Sequence, residues 1–205
     1  MSDLSRREFL GLDTRAWATR SPREQIREDH FPNVVLTTHE GERVRFYDDL
    51  VKDRHVTINM VYTSCKLTCP LITANLVRVQ QLLAERVGRD LFMYSITIDP
   101  KRDTPKVLKR FASAHGVGKG WRFLTGRPDE IELLRRKLGF TWADPVRDAN
   151  KDNHTGNLRY GNEPLMVWGT VPGIANPSWV AKCILFADRP GGEQAIRPQC
   201  CTASS

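Results

Sequence analysis

The sequence predicts an α/β fold, in which helices cover both faces of a central sheet. Three observations lead to this prediction. A short β-hairpin pattern comes first, strand-like runs then alternate with amphipathic helical patterns, and a second hairpin with a final helix closes the ordered part. The 205 residues are 40% hydrophobic and 27% charged, which is typical of one globular domain with room for terminal segments.

The first elements follow from residue patterns near the amino terminus. Residues 1–30 are charged and lack a clear apolar period, so we treat them as an arm or a degenerate export signal. Residues 34–37 and 44–46 are two β-type runs separated by a turn that contains a glycine, which predicts an N-terminal β-hairpin. Residues 56–62 are almost all apolar or β-branched, as in a central strand that is covered on both faces.

A helix is predicted to follow this strand, with Pro70 at its first position, where no amide donor is needed. Its apolar stripe repeats at helical spacing and consists of Ile72, Leu76, Val79 and Leu83. Gly88 is the predicted end of this helix. A second buried strand is then predicted over residues 91–98.

The remaining pattern continues the alternation. Thr104 and Pro105 predict the start of a helix that runs to Gly116. The other predicted elements are a strand at 121–124, a helix at 128–138, a hairpin of 157–160 with 165–168, and a helix from 176 to 186. We therefore expect an arm over residues 1–30, one domain over 31–187 and a polar tail over 188–205.

The distribution of charge does not favour nucleic-acid binding, and the apolar runs are too short for a membrane-spanning helix. The chain has 31 Lys and Arg against 24 Asp and Glu, for a net charge of +7 and a pI near 9.4. The basic residues are mixed with acidic ones along the chain, so we expect a solvated basic surface and no nucleic-acid binding. No run approaches the ~18 apolar residues of a transmembrane helix.

The amino terminus leaves the compartment open. Arg6 and Arg7 resemble the pair of a twin-arginine export signal. Such a signal continues with an apolar stretch, whereas residues 12–20 are polar and charged. A degenerate or truncated signal and a chance arginine pair in the arm both fit this segment.

Cys65 and Cys69 carry the clearest chemical signal, because they lie between a predicted strand and a predicted helix. The partial positive charge of a helix amino terminus stabilises thiolate, and Lys66 adds a cation. Thiolate is both the attacking species in disulfide exchange and a ligand for soft metals. The CxxxC spacing alone leaves metal binding, redox exchange and an inert role open.

His154 and Asp99 are the candidates to complete a site. His154 lies in a polar turn at residues 151–156. This position fits either a metal ligand or an ordinary surface histidine. Two thiolates and one imidazole suit Cu(I), Cu(II) with an added ligand, or zinc. Asp99 follows a buried strand, and sites gather at the carboxyl ends of such strands, so it is a candidate outer-sphere group or weak ligand. Asp103, with Thr104, fits turn and capping chemistry.

The three other cysteines do not form a disulfide framework with this pair. Cys183 lies in an apolar stretch and is predicted to be a small buried hydrophobe. Cys200 and Cys201 are adjacent in the polar tail, and we expect them to belong to a mobile segment without a chemical role. Metal binding and cross-linking of chains are the alternatives.

Together these motifs resemble the Sco/SenC family, thioredoxin-like copper chaperones linked to cytochrome c oxidase assembly. The resemblance covers roughly residues 31–186, and the motifs at 65–70, 95–105 and 153–156 follow the family's order. It implies a thioredoxin-like fold with a central mixed sheet. It also implies copper, as Cu(I) or Cu(II), held by Cys65, Cys69 and His154, with Asp99 in a nearby loop.

The same resemblance implies a metallochaperone rather than an enzyme. The expected partners are a cuproprotein client, namely an oxidase subunit with a dinuclear copper centre, and a protein that reduces the thiols. The resemblance implies a periplasmic or membrane-associated location. Association with a membrane surface, a cytoplasmic location and the oligomeric state all stay open.

An oxidoreductase is the main alternative function. Cys65 and Cys69 would then be a redox pair acting on the cysteines of a partner's copper site, and His154 would not be needed. A thiol peroxidase on the same fold is a weaker alternative, because metal binding explains two close cysteines and a distant histidine better.

Overall fold

The computed structural model describes residues 22–66, 68–150 and 155–188, with side chains from residue 24 onward, and within these residues it contains one seven-stranded mixed sheet. The strands are β1 Val35–Thr38, β2 Arg43–Arg45, β3 His55–Val61, β4 Leu91–Thr97, β5 Trp121–Gly126, β6 Asn157–Asn162 and β7 Val167–Pro172. The helices are α1 Pro22–His30, α2 Thr68–Leu82, α3 Pro105–Ala114, α4 Pro128–Lys137, α5 Pro145–Ala149 and α6 Pro177–Phe186. A π-helical segment, Phe46–Val51, follows β2.

The sheet has the order β2-β1-β5-β4-β3-β6-β7, which puts β3 and β4 near its middle. β3 pairs with β4 in parallel and with β6 antiparallel, and all seven residues of β3 are buried. The last register pair of β3 and β4 is Val61 with Thr97. Because parallel strands end at the same edge, the loops after β3 and β4 lie side by side.

Helices cover both faces of the sheet, as the alternating pattern predicts. α2, α3 and α6 pack on one face in a core with Leu76, Leu108 and Ile184, while α4 and the π-helical segment pack on the other with Leu134 and Leu50. Side chains of a strand alternate between these cores. Deep burial on both faces explains why the central strands have almost continuous apolar sequences.

Helix α2 begins at Thr68, two residues before the predicted start at Pro70. Proline is tolerated there because the first four amide groups of a helix have no partner within it. The regular helix ends at Leu82, turns cover residues 83–86, and Val87 forms an isolated bridge with Leu91. Gly88, with a φ of 88°, therefore lies within the connection to β4, six residues after the helix ends.

Part of the charged arm is helical and attached to the domain. The guanidinium of Arg27 in α1 lies 2.6 Å from the carboxylate of Glu163, which is fully buried in the turn after β6. The Tyr47 hydroxyl donates to the same carboxylate at 3.0 Å, and the Asp53 amide donates to it at 2.9 Å. The sequence predicts an arm because residues 1–30 lack an apolar period. It does not reveal these polar contacts, because they join residues more than a hundred positions apart.

The second predicted hairpin is confirmed but is longer than its pattern indicates. β6 and β7 pair from Asn157 with Pro172 to Asn162 with Val167, so the turn is confined to residues 163–166. Gly161 allows the two strands to pair over this length, because its position faces the Trp168 ring. A Cβ there would lie 2.1 Å from Trp168 Cε3. Only a residue without a side chain permits this close approach.

Candidate functional site

The turn between β3 and α2 holds the two cysteines close together. The Cys65 amide donates to the Tyr62 carbonyl at 3.2 Å, which closes a tight turn just after the strand. The Cys69 amide, in the first turn of α2, then donates to Cys65 Sγ at 3.4 Å. Both residues are thiols rather than a disulfide, and Cys65 is half-buried whereas Cys69 is only 1% exposed. The end of a strand and the start of a helix thus bring two thiols close together.

The two thiols have different environments. Burial raises the pKa of Cys69 to about 12, and the contact with Cys65 and the charge of Asp103 act in the same direction, while a backbone hydrogen bond from Tyr62 opposes them. We expected the helix terminus to stabilise thiolate here. At Cys69, however, the loss of hydration of the charged form outweighs that effect.

A buried carboxylate ties this turn to the loop after β4. Asp103 is 1% exposed, and its Oδ2 accepts hydrogen bonds from the Thr63 amide at 3.1 Å and the Thr97 hydroxyl at 2.6 Å. The Thr63 hydroxyl donates to the other oxygen, Oδ1. Thr63 lies two residues before Cys65, so Asp103 fixes the approach to the first thiol.

Asp103 is the residue whose role the sequence analysis missed. The turn and the cap that were predicted for Asp103 with Thr104 are present, since the Asp103 amide donates to the Asp99 carbonyl at 2.9 Å and the Thr104 hydroxyl accepts from the Val107 amide at 3.4 Å. The Asp103 carboxylate, however, binds Thr63 and Thr97. The signal that could have identified Asp103 is its position beside the end of β4, at the same sheet edge as the cysteines.

Asp99 lies in the same loop and is 8% exposed. Its amide donates to the Thr97 hydroxyl at 2.9 Å, and its carboxylate is 4.0 Å from the Arg102 guanidinium. The hydrogen bond from the Thr63 amide to Asp103 places this loop next to the cysteine turn, as we expected. The outer-sphere or weak-ligand role of Asp99 stays a prediction.

His154 lies outside the described residues, but the chain that follows it is well placed. The Gly173 amide donates to the Gly156 carbonyl at 2.7 Å, and the Asn75 side-chain amide donates to the carbonyls of Gly173 and Ala175 at 2.9 and 2.7 Å. A Cβ on Gly156 would lie 3.1 Å from Ile72 Cδ1. Gly156 is thus held against the first two turns of α2, the helix that carries Cys69.

Among the described residues, no group of three His, Cys, Asp or Glu side chains is arranged to hold a metal ion. The predicted ligand set of Cys65, Cys69 and His154 stays a prediction, because His154 is not among these residues. Cys183, predicted to be buried, is half-buried on α6, where burial raises the pKa of its thiol. Cys200 and Cys201 lie outside the described residues.

A separate cavity of about 520 Å³ opens beside Asp99. Its wall includes Pro100, Ile131, Arg135 and Asp148. Arg135 holds Asp148 by two hydrogen bonds of 2.7 Å, and these bonds lower the pKa of Asp148 to about 2. Since neither cysteine lines this cavity, it is distinct from the thiol site. In the part of the chain that the structure describes, no helix has the length and apolar character needed to cross a membrane.

Comparison with known proteins identifies the family that the sequence matches. Residues 20–178 match the model of the SCO1/SenC family. A Stutzerimonas stutzeri protein named "putative copper-binding protein" is 28% identical over 135 residues, or 64% of each chain, so the chain spans slightly less than two thirds of that relative.

Two solved structures share the fold. Arabidopsis thaliana ScoI with copper bound has a TM-score of 0.62 at 17% identity, covering 77% of this chain and 97% of that one. BsSco, described as a member of the Sco family of cytochrome c oxidase assembly proteins with a disulfide switch, has a TM-score of 0.61 at 24% identity, covering 75% and 90%. The predicted thioredoxin-like α/β fold is confirmed by this likeness and by the mixed sheet with helices on both faces.

Proposed function

Because this chain belongs to the SCO1/SenC family, we propose that it is a copper chaperone. It holds copper through Cys65, Cys69 and His154 and delivers it to a cuproprotein client, the dinuclear copper centre of cytochrome c oxidase. The observation that carries this proposal is the pair of reduced cysteines on one turn, with the Cys69 amide 3.4 Å from Cys65 Sγ.

The donor set fits copper as cargo. Thiolate sulfur is a soft ligand that selects Cu(I), and one imidazole completes a low-coordinate site. Two residues of chain span at most about 7 Å, and Gly156 is in contact distance of Ile72 on α2. This short reach supports His154 as the third ligand. Copper bound to the Arabidopsis ScoI structure and the name of the Stutzerimonas relative support copper over zinc.

The unequal exposure of the thiols suits transfer to another protein. Cys69 is enclosed, whereas half-buried Cys65 is accessible at the edge of the sheet. A client's ligand therefore reaches the metal from the Cys65 side, while Cys69 keeps it bound until exchange is complete. The oxidase client is supported by the description of BsSco as an oxidase assembly protein. A periplasmic or membrane-associated location and a thiol-reducing partner belong to the same proposal.

The test is anaerobic Cu(I) titration of the reduced protein in competition with a chromophoric chelator. Cys65→Ser and Cys69→Ser should each lose the site, and His154→Ala should bind copper more weakly. Cys183→Ser is the matched control, since it removes a thiol on α6 and should leave affinity unchanged. Unchanged copper affinity in His154→Ala would refute the three-ligand site.

The second candidate is a thiol–disulfide oxidoreductase, favoured by the closeness of the two reduced cysteines and by the disulfide switch described for BsSco. In this reaction Cys65 attacks the partner's disulfide, and Cys69 then displaces the partner's thiol, leaving a Cys65–Cys69 disulfide and a reduced partner. Turnover of a disulfide substrate that persists in His154→Ala, in a protein that does not retain copper, would favour this candidate.

A further inference from the structure

Asp103 is a buried carboxylate held by neutral donors. Its side chain is enclosed at 1% exposure and accepts from the Thr63 amide, the Thr63 hydroxyl and the Thr97 hydroxyl. Within the described ranges no basic side chain lies within ion-pair distance of it. Burying a charge without an ion pair is costly, and neutral hydrogen bonds offset only part of that cost.

The place of this carboxylate links it to the thiols. It joins three features at one edge of the sheet: the turn that leads to Cys65, the end of β4 at Thr97, and the start of α3 after Thr104. The Thr97 hydroxyl also accepts from the Asp99 amide at 2.9 Å, so one set of hydrogen bonds runs from the Asp99 loop to the cysteine turn. The Ile98 amide adds a bond to the Val61 carbonyl at 2.9 Å.

Two effects on the metal site follow from this arrangement. The bonds to Thr63 hold the turn that ends at Cys65, so they preset the position of the first sulfur. The negative charge also lies near the thiols, because Asp103 Oδ2 is 3.1 Å from the Thr63 amide nitrogen and the two residues from Thr63 to Cys65 span at most about 7 Å. If Asp103 had only a structural role, its hydrogen bonds would matter for copper binding and its charge would not.

We propose that Asp103 is a positioning residue for the copper site, which holds Cys65 in place through Thr63 and whose charge favours Cu(II) over Cu(I). The proposal rests on the proposed function, because it assumes that the thiol pair binds copper. A fixed negative charge attracts a divalent ion more strongly than a monovalent one. Asp103 therefore affects the balance between the two oxidation states, whereas its hydrogen bonds affect both states alike.

Two substitutions separate charge from hydrogen bonding. Asp103→Asn keeps the shape and an acceptor oxygen but removes the charge, so it should lower Cu(II) affinity roughly tenfold more than Cu(I) affinity. Thr63→Val removes the hydroxyl donor and keeps the charge, so it should weaken both ions by a similar factor. Asp90→Asn, on an exposed carboxylate in the connection before β4, is the surface control and should change neither affinity.

The measurements are competition titrations with Cu(I) and Cu(II), together with the absorption of the Cu(II)–thiolate complex, on variants whose circular dichroism matches the wild type. Equal losses for both ions in Asp103→Asn, or no loss in either, would overturn the proposal. If Asp103→Asn does not fold, a Thr63→Val protein with unchanged affinity for both ions would overturn it as well. A wild-type protein that binds no copper would instead refute the proposed function.

Discussion

Gly173→Ala tests whether the segment that follows His154 must lie against α2 for copper to bind. A Cβ at this position would lie 2.9 Å from the Gly156 carbonyl oxygen and 2.9 Å from Ile72 Cγ2. Ordinary contacts begin at 3.4 Å, so Gly156 and Ile72 must each move about 0.5 Å away from the new methyl group. The hydrogen bond of 2.7 Å from the Gly173 amide to Gly156 would lengthen with them.

The magnitude follows from the cost of overpacking, which is typically about 1–3 kcal/mol. The protein can relieve this strain by moving residues 155–157 away from α2. Copper binding through His154 would require the segment to return, so about half of a mid-range strain, ~1 kcal/mol, should be lost from binding. That corresponds to an affinity for Cu(I) about fivefold weaker.

The assay is chelator competition with Cu(I), performed in a double-mutant cycle with His154→Ala. Gly173→Ala should weaken binding in the wild-type background and have no further effect when His154 is absent. The same fold loss in both backgrounds would refute the reasoning, because the effect would then not pass through His154. Gly156→Ala is a milder control: its Cβ would lie 3.1 Å from the flexible Cδ1 of Ile72 and at an ordinary 3.6 Å from Thr68 Cγ2, and Ile72→Val should reverse its effect.

Three further predictions concern stability. Glu163→Ala should lower the free energy of unfolding by about 3 kcal/mol, measured by urea denaturation, because it leaves the donors around a fully buried carboxylate without their acceptor; a loss below ~1 kcal/mol would contradict this role. Burial lowers the pKa of His55 below 6.5, although the Asp188 carboxylate 2.8 Å away opposes this. The unfolded chain then binds more protons, so stability should fall as the pH drops below about 6.5, and His55→Asn should flatten that part of the profile. Thr104→Ala should cost about 1 kcal/mol in a thermal melt through the lost cap of α3, and Thr104→Ser should restore it.

The elements that the sequence predicts well are those set by local pattern. β3, β4, α3, α4 and α6 are all confirmed within a few residues, because each has a continuous apolar run or an apolar stripe between turn residues. The short helices α1 and α5 were not predicted. α1 is attached to the domain by the ion pair between Arg27 and Glu163, two residues that lie 136 positions apart in the sequence.

The same distinction holds at the site. The spacing of Cys65 and Cys69 is local, so the sequence shows that both thiols lie between a strand and a helix. The hydrogen bonds of Asp103 to Thr63 span 40 residues and depend on β3 and β4 ending at one edge. Burial of Cys69 depends on the layer that α2 shares with α3 and α6. Local pattern thus predicts which groups are present, while the packing of distant elements determines their charge state and orientation.

The structure also shows which substitution can separate the two candidate functions. Cys65 is the accessible thiol and Cys69 the enclosed one. In either proposed function the reaction would therefore begin at Cys65 and would need Cys69 afterwards. Loss of either cysteine would abolish both activities and could not distinguish them. His154 differs, since imidazole can bind copper but takes no part in exchange between thiols and disulfides. A His154→Ala protein that loses copper affinity but still reduces a disulfide would therefore assign the histidine to the metal, and the cysteines to both reactions.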